Sequence, residues 1–319
     1  MLNNEQSLAH PKTPRQYLRL YLTGFAMGAA DIVPGVSGGT MAFILGIYAD
    51  LLDAIKSFDF TALRLALRLR LREALAHIPL AFLLAVGLGI LTAIATLSGA
   101  LSHLLETHPT FVFAFFGGLI LASIVSVGVK IRWALATVVA LVAGAVAAFI
   151  IVGLPILQNV SHDPLTLFIS GAIAICAMIL PGISGSFILL ILGQYEYVLN
   201  AVRDRDILTL VIVAAGCAVG IMAFSRVLSY LLKHYYQVTI AALTGFMIGS
   251  LRTIWDRSSQ GAAALEQFGA GEVALALALV AVGFVLVSVL DHAQSRENPF
   301  VGLFWRGQKA DSAETLAAD

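Results

Sequence analysis

A short stretch rich in glycine, proline and serine occurs twice in this chain of 319 residues, each time inside a long apolar region. The first copy is Pro34-Gly35-Val36-Ser37-Gly38-Gly39 and the second is Pro181-Gly182-Ile183-Ser184-Gly185-Ser186. Glycine lets the backbone turn with a positive φ and lets a ligand approach the main chain closely. Irregular backbone at membrane depth must have its polar groups satisfied by protein, water or a ligand. The two stretches are therefore the first candidates for a binding site.

The chemistry that these stretches favour is anion binding. A helix that starts after the break, near Thr40 or Phe187, directs free backbone N–H groups and the positive end of its dipole at the break. Phosphate in particular suits such a site. The candidate substrate-binding residues of the two stretches are Gly35, Ser37, Gly38, Gly39, Thr40, Gly182, Ser184, Gly185 and Ser186. A tight glycine turn that only packs helices together is the alternative interpretation.

Three charged residues inside apolar segments are further candidates, because charge at membrane depth is costly and is kept for function. Asp31 lies three residues before Pro34, and the equivalent position of the second copy is Met178. Asp31 could carry a coupling proton or cation, or it could cap the loop. Arg226 and Arg252 could hold a phosphate in fork geometry. Snorkelling of both arginines to an interface is the competing interpretation.

A hydrolase is a separate class of hypothesis, since Gly35-Val36-Ser37-Gly38 also matches the Gly-x-Ser-Gly pattern of intramembrane serine proteases. Such an enzyme needs a histidine that faces the serine within the membrane. The seven histidines fall in termini, in loops or at helix ends, at positions 10, 77, 103, 108, 162, 234 and 292. A duplicated motif also makes little sense for a single nucleophile, and no phosphatase constellation of Arg and His occurs. We therefore do not expect an enzyme.

The composition indicates that these motifs lie within a membrane. Hydrophobic residues make up 59% of the chain and charged residues 12%, whereas soluble proteins have about 45–50% and 25%. The formal net charge is zero, which gives no basic footprint for nucleic acid. Two cysteines, Cys176 and Cys217, are too few for a metal cage. The sequence predicts no metal, no cofactor and no nucleic-acid partner.

Apolar runs of roughly 20 residues predict membrane-spanning helices. Six of them are uninterrupted, at about 79–101, 109–127, 131–153, 207–232, 237–254 and 271–290. Two more regions, about 17–55 and 165–202, are broken in the middle by the Pro-Gly stretches. Each consists of two pieces that flank the break, so it either crosses twice or returns to its own side as a re-entrant hairpin.

Self-comparison reveals an internal repeat. Nine identities, from Pro34/Pro181 to Leu52/Leu199, share one offset of 147 residues, and further identities share an offset of 127. The second set includes Leu101-Ser102-x-Leu104-Leu105, which recurs as Leu228-Ser229-x-Leu231-Leu232. Each half holds an interrupted element plus three helices, which is an odd number of crossings, so the halves must have opposite orientations. Inverted repeats with equivalent breaks are typical of secondary transporters.

The predicted fold is accordingly an all-α polytopic membrane protein with two inverted repeats, each a broken or re-entrant helical hairpin plus three transmembrane helices. Residues 1–16 form an N-terminal tail, 17–153 the first repeat, 165–290 the second repeat and 291–319 a C-terminal tail. With both tails in the cytoplasm, fifteen Lys and Arg residues fall inside and four outside, as the positive-inside rule requires.

A basic segment near 57–76 is present only in the first half. Arg64, Arg68 and Arg72 recur every four residues, with leucines alongside. The spacing predicts a basic helix that lies on the cytoplasmic leaflet against anionic headgroups, or a solvated linker helix.

The motif Asp31-Ile32-Val33-Pro34-Gly35-Val36-Ser37-Gly38-Gly39-Thr40, together with Leu180-Pro181-Gly182-Ile183-Ser184-Gly185-Ser186, resembles a bacterial polytopic membrane family, the undecaprenyl-phosphate translocases. The resemblance extends over about 17–290. It implies a bacterial cytoplasmic (inner) membrane protein that returns a polyprenyl-phosphate lipid, the carrier for peptidoglycan and other envelope polymers, from the outer to the inner leaflet.

A lipid phosphate fits the residues as well, because it is an anion with an apolar tail. Coupling to a proton or sodium gradient would give the transport its direction. The alternatives are a secondary transporter of a small soluble anion or of a cation, and a scaffold that only organises envelope enzymes.

Overall fold

A computed structural model describes residues 8–33, 36–259 and 269–295 of the chain. Pro34 and Gly35 lie outside the described residues, as do most of the C-terminal tail and the start of the N-terminal one. The described residues form helices without strands. The helices are α1 (Pro14–Ile32), α2 (Gly38–Ile44), α3 (Tyr48–Lys56), α4 (Phe60–Leu67), α5 (Leu71–His77), α6 (Leu80–Thr107), α7 (Pro109–Gly128), α8 (Leu135–Val152), α9 (Pro164–Ile179), α10 (Gly185–Ile191), α11 (Tyr195–Arg203), α12 (Ile207–His234), α13 (Tyr236–Ser259) and α14 (Ala270–Ser295).

The predicted spans are confirmed. Within the described residues, six helices are long and apolar enough to cross a membrane, namely α6, α7, α8, α12, α13 and α14, and up to eight spans result if each bent helix pair counts as one. Residues 131–134, which the sequence assigned to a span, precede α8, because Thr137 caps that helix by accepting the backbone N–H of Ala134.

Close glycine contacts hold the first helices of each half together. In the first half, a Cβ on Gly24 of α1 would collide with the carbonyl of Val86 on α6, and a Cβ on Gly28 would lie 2.6 Å from that of Ile90. In the second half, a Cβ on Gly171 of α9 would lie 2.6 Å from the carbonyl of Val213 on α12. Small residues let helix backbones approach closely where water provides no hydrophobic drive. The rising residue numbers show that α1 and α6 run parallel.

The remaining long helices form the centre of the molecule. Helix α8 packs on α13, and α7 packs on both α14 and α13. Phe113, Phe116 and Ile120 of α7 are buried, and they belong with Met247 of α13 to the largest apolar cluster of the described residues. The repeat relates the contact of α1 with α6 to that of α9 with α12. It likewise relates the contact of α7 with α14 to that of α13 with α8, and each of these two contacts joins one half to the other.

The interrupted regions differ from the sequence prediction of two pieces around one break. Each contains three helices, because the piece after the Pro-Gly stretch bends a second time: α2 and α3 meet at 117°, and α10 and α11 at 111°. The second bend falls at Gly46 and Gly193, whose φ values are +72° and +67°. Glycine adopts this left-handed conformation without the steric cost that a Cβ brings. We call α2–α3 the first hairpin and α10–α11 the second hairpin.

The prediction of one continuous basic helix in the inserted segment is wrong. The segment is split into α4 and α5, and Leu69 between them has a φ of +57°. Arg64, Arg68 and Arg72 therefore do not share one helix face. Several leucines of the segment are exposed, with Leu67 and Leu69 at 76% and 83%, so leucine and arginine side chains are both available on its surface.

Candidate functional site

The two Pro-Gly stretches lie against each other in the folded chain, although 147 residues separate their equivalent positions. The Ser37 hydroxyl donates to the carbonyl of Met178 over 3.1 Å. The Tyr48 hydroxyl donates to the carbonyl of Ile179 over 2.9 Å. The sequence motifs thus meet at one place, and the first half reaches across to the second.

A third bond joins the stretches through Thr40. Its hydroxyl accepts the backbone N–H of Gly182 over 2.9 Å, and Thr40 is fully buried. Gly182 has a φ of +97°, and a Cβ built there would lie 2.5 Å from the hydroxyl oxygen of Ser250 on α13. Conformation and space therefore both require glycine at this position. Ser250 is itself buried and donates to the carbonyl of Met247.

Asp31 closes the first stretch. Its carboxylate accepts the backbone N–H of Gly38 over 2.7 Å. A Cβ on Gly38 would lie 2.5 Å from a carboxylate oxygen of Asp31, so the small residue makes the bond possible. Gly39 fits equally tightly, because a Cβ there would lie 2.9 Å from the carbonyl oxygen of Ile179. No corresponding carboxylate exists in the second stretch, where Met178 occupies the equivalent position.

The second stretch is closed by hydroxyl groups. Ser184 accepts the backbone N–H of Phe187 over 3.2 Å, and its hydroxyl lies 3.2 Å from that of Ser186. Ser184 is buried, whereas Ser186 is exposed. Gly185 has little free space, since a Cβ would lie 2.9 Å from the carbonyl oxygen of Ala174. Neither Ser37 nor Ser184 has a histidine as hydrogen-bond partner among the described residues.

The helices after the breaks begin at Gly38 and Gly185, two residues earlier than the sequence suggested, because Ser37 and Ser184 cap them. Their first N–H groups already have acceptors within the protein. The donor and acceptor pairs are Gly38 with Asp31, Gly39 with Ser37, and Phe187 with Ser184. A headgroup that used these donors would have to displace a side-chain oxygen.

The two candidate arginines have different surroundings. Arg226 is exposed on α12 and donates to the carbonyl of Met222, one turn earlier on its own helix, over 2.8 Å. Arg252 connects two helices: it donates to the carbonyl of Phe149 on α8 over 3.1 Å, and its guanidinium lies 4.4 Å from the centre of the Phe149 ring. Arg252 also pairs with Asp256 over 3.4 Å. Among the described residues, no hydrogen bond or ion pair joins either arginine to the Pro-Gly stretches.

A polar contact that the sequence did not single out lies between the halves. Asp53 on α3 accepts the Ser229 hydroxyl over 3.1 Å and the Lys233 ammonium over 3.3 Å, and both partners are on α12. We call this contact the Asp53 latch. The only signal in the sequence was that Ser229 belongs to the repeated Leu-Ser-x-Leu-Leu motif, since Asp53 is not shared by the second copy.

Another ion pair joins the segment after α7 to α14, where the Lys130 ammonium lies 3.1 Å from the buried carboxylate of Asp291. Metal binding finds no support in the part of the chain that the structure describes, because no group of three or more His, Cys, Asp or Glu side chains could hold an ion there.

Comparison with known proteins shows which family this sequence is similar to. The family described as undecaprenyl phosphate translocase-like matches residues 27–272 of the chain. A protein of Vibrio cholerae serotype O1 named "Polyprenyl-phosphate transporter" is 47% identical over 242 residues, which are 75% of this chain and 78% of that protein. A Staphylococcus aureus protein of the same name is 32% identical over 259 residues, 73% of this chain and 84% of that protein. No solved structure matches the chain significantly.

Proposed function

Because this chain belongs to the undecaprenyl phosphate translocase-like family, we propose that it carries polyprenyl phosphate, with undecaprenyl phosphate as the lipid, across a bacterial cytoplasmic membrane. The observation that carries the proposal is the alignment of two proteins named polyprenyl-phosphate transporter with about three quarters of the chain. Translocation runs from the outer to the inner leaflet, where the lipid is reused for envelope synthesis.

The chemistry of the site supports this substrate. A lipid phosphate needs polar donors for its headgroup and an apolar path for its tail. The two Pro-Gly stretches bring backbone N–H groups and four hydroxyls together, those of Ser37, Thr40, Ser184 and Ser186. The surrounding helices offer apolar surface. In the transport cycle the headgroup replaces some of the bonds that now join the stretches to each other, and at Gly38, Gly39, Gly182 and Gly185 no Cβ covers the backbone N–H groups that would bind it.

Asp31 is the proposed coupling residue. Its carboxylate holds the N–H of Gly38, and it would repel a phosphate that approached the same donor. Uptake of a proton or a sodium ion by Asp31 removes this repulsion, because the neutralised group no longer competes as an anion. Loading of the lipid is then linked to the ion, which would give transport its direction.

The arginines are proposed to bind the headgroup on its way to or from the stretches. Arg226 is exposed and uses Nη1 on the carbonyl of its own helix, so its guanidinium can turn to a phosphate at little cost. Arg252 must first leave the Phe149 carbonyl and Asp256. Planar guanidinium groups match phosphate in two-point geometry.

Opposite orientation of the two halves is part of the proposal. The supporting contacts converge on α3: near the start of the chain, the N–H of Leu8 donates to Asp50, while near the end of α12, Lys233 pairs with Asp53. The start of α1 and the end of α12 therefore share one end of the molecule. Since α6 runs parallel to α1, it runs opposite to α12, its equivalent in the repeat.

The topology has its own test. With both termini and the segment 56–78 in the cytoplasm, single cysteines Thr61→Cys and Ser258→Cys are labelled from opposite sides of the membrane. The background carries Cys176→Ala and Cys217→Ala. Labelling of both positions from the same side would contradict the inverted arrangement.

The function is tested with the purified protein in vesicles that contain polyprenyl phosphate in one leaflet. We expect the protein to move the phosphate headgroup between leaflets, and an ion gradient to change the net direction. Inorganic phosphate is the matched competitor. If the vesicles took up inorganic phosphate while the lipid stayed in its leaflet, a soluble-anion transporter would replace this proposal.

A further inference from the structure

The two hairpins have the same residues at equivalent positions but differ in burial. Tyr48 and Leu52 of the first hairpin are 4% and 1% exposed, whereas Tyr195 and Leu199 of the second hairpin are 38% and 37% exposed. The same side chains thus form an internal contact in one half and present a free surface in the other.

The surface that receives the first hairpin lies on α12. Helix α3 packs along α12, and Leu52 belongs to the same apolar cluster as Leu228. The Asp53 latch completes the contact, with the hydroxyl of Ser229 buried beneath it. Leu228 and Ser229 are the residues of the second half that repeat Leu101 and Ser102 of the first.

The equivalent surface on α6 is present but unused. It consists of Leu101, Ser102 and Glu106, each 127 residues before its counterpart on α12. Ser102 and Glu106 are exposed. Helix α11 packs on α10 and α12, and within the described residues it makes no comparable contact with α6.

The bonds between the Pro-Gly stretches are equally one-sided. Tyr48 reaches the carbonyl of Ile179, and the equivalent bond would join Tyr195 to the carbonyl of Ile32. Among the described residues that bond is not formed, although Tyr195 keeps the hydroxyl it needs. A Tyr, a Leu and a Leu-Ser pair are therefore retained in both copies, while only one copy has them in contact.

From this asymmetry we propose a second docked state of the protein. In that state the second hairpin packs on α6, with Tyr195 and Leu199 buried and Asn200 against Ser102 and Glu106, while the first hairpin leaves α12. The Asn200 amide can donate to the Glu106 carboxylate, as Lys233 donates to Asp53 in the state described above.

The proposal rests on the proposed transport function and gives it a mechanism of alternating access. The state described above is closed where α3 meets α12, on the face that the charge distribution predicts to be cytoplasmic. The equivalent contact, between α11 and α6 on the opposite face, is not formed among the described residues. Exchange of one docked hairpin for the other would expose the Pro-Gly stretches to each leaflet in turn.

Two cysteine pairs report the two states in the full-length protein in lipid nanodiscs, after Cys176→Ala and Cys217→Ala. Asp53→Cys with Ser229→Cys reports docking of the first hairpin, and Asn200→Cys with Ser102→Cys reports docking of the second. We expect the first pair to cross-link rapidly without ligand and the second pair to cross-link in a smaller fraction.

A weakened latch should shift this balance. Lys233→Gln removes the exposed ion pair, and we expect the cross-linked fraction of the second pair to rise by up to about fivefold, the change that one surface ion pair can produce. Asp53→Asn serves as the second variant in case Lys233→Gln does not fold. The matched control pairs Asn200→Cys with Ala100→Cys, because position 100 points about 200° around α6 from position 102.

Every cross-linking outcome either supports or overturns the second docked state. Cross-linking of the second pair above its control, with the rise in the weakened latch, supports the second state. The proposal is overturned if the second pair never cross-links in any background, if the Ala100 control cross-links equally, or if the first pair fails to cross-link. Lipid translocation is measured on the same variants in vesicles: transport without the second cross-link would overturn only the docked state. Exchange of cross-links without transport would overturn only the function.

Discussion

The two Pro-Gly stretches have nearly the same sequence but form different bonds. The first is closed by a carboxylate, that of Asp31, and its side chains reach the backbone of the second. The second is closed by two hydroxyls and offers only backbone groups in return. The two copies therefore begin a helix at equivalent positions, whereas even shared residues such as Ser37 and Ser184 form different bonds.

Three of the positions that the copies do not share involve charged residues. Asp31 corresponds to Met178, Asp53 to Asn200, and Lys233 to Glu106. All three differ in charge between the halves, and two of them form the ion pair that docks the first hairpin. A protein with two identical halves would favour neither docked state, so these charges are where a preference for one state can arise.

Bulky substitution of the glycines should have the largest effect. Gly182→Val places a β-branched side chain at a φ of +97° and against Ser250, at a cost on the order of 2–6 kcal/mol from strain and overpacking. Gly38→Val and Gly185→Val meet Asp31 and Ala174 without a positive φ, so we expect smaller losses. Thermal unfolding and vesicle transport on the same purified variants measure both effects.

The control for these glycines is Gly87→Val on α6, where a Cβ would meet nothing within 4 Å. It should insert, unfold and transport like the unmodified protein. If Gly38→Val and Gly185→Val also transported normally, the stretches would be connectors and the comparison between them would have no bearing on function.

The arginine substitutions come next. Loss of a charge-assisted contact costs about 1.5–3 kcal/mol, so Arg226→Gln and Arg252→Gln should each weaken headgroup binding roughly ten- to a hundredfold. Of the two variants, only Arg252→Gln should also lower the unfolding temperature, because Arg252 bonds from α13 to α8 and Arg226 bonds only to its own helix. Titration calorimetry with a short-chain polyprenyl phosphate gives the binding constants. Unchanged binding in both variants would leave the anion to the backbone of the stretches.

The sequence predicted much of this fold because membrane spans and repeats are strong signals. Long apolar runs have no other explanation than burial in lipid or in a large core, and six of them became helices at the expected places. The second bends at Gly46 and Gly193 were missed, since a single glycine inside an apolar run has no unambiguous meaning. The break between α4 and α5 was missed because nothing in the arginine periodicity indicates that Leu69 has a positive φ.

The site was less predictable, and for a physical reason. Motif identity could point to Ser37, Thr40, Gly182 and Ser184, which the structure brings together. It could not indicate that the two stretches use each other as hydrogen-bond partners, because that depends on how the halves dock. The Asp53 latch was missed for the same reason, because it too depends on how the halves dock. Asp53 and Lys233 are 180 residues apart, and neither is apolar or repeated.

Asp31→Asn should bind the headgroup at least as tightly as the unmodified protein, because the repelling charge is gone, while the coupling changes. The asparagine carbonyl can still accept the N–H of Gly38, so the loop keeps its shape but loses the charge that competes with phosphate. Transport should then become insensitive to the proton or sodium gradient that drives the unmodified protein. The measurement is translocation against pH and sodium steps, with Asp31→Ala as the variant that loses both bond and charge. An unaltered gradient dependence in Asp31→Asn would remove Asp31 from coupling.

The smallest effect concerns how the first helix of each half begins. Asp163 caps α9 by accepting the N–H groups of Leu165 and Thr166, and these bonds, with those from the Thr166 and Ser161 hydroxyls, lower its pKa to about 2. Helix α1 is instead capped by Thr13, which does not titrate.

A carboxyl whose pKa is lowered on folding stabilises the protein above its ordinary pKa and ceases to do so as the pH falls toward the lowered value. Between pH 5 and pH 2.5, the first turn of α9 should therefore lose protection against hydrogen exchange, after correction for intrinsic rates, while that of α1 keeps its protection. Asp163→Asn can still cap the helix but cannot titrate, so its α9 should respond to acid no more than α1 does. An equal response of both helices in the unmodified protein, or an acid response that survives Asp163→Asn, would show that this difference between the halves does not originate at the cap.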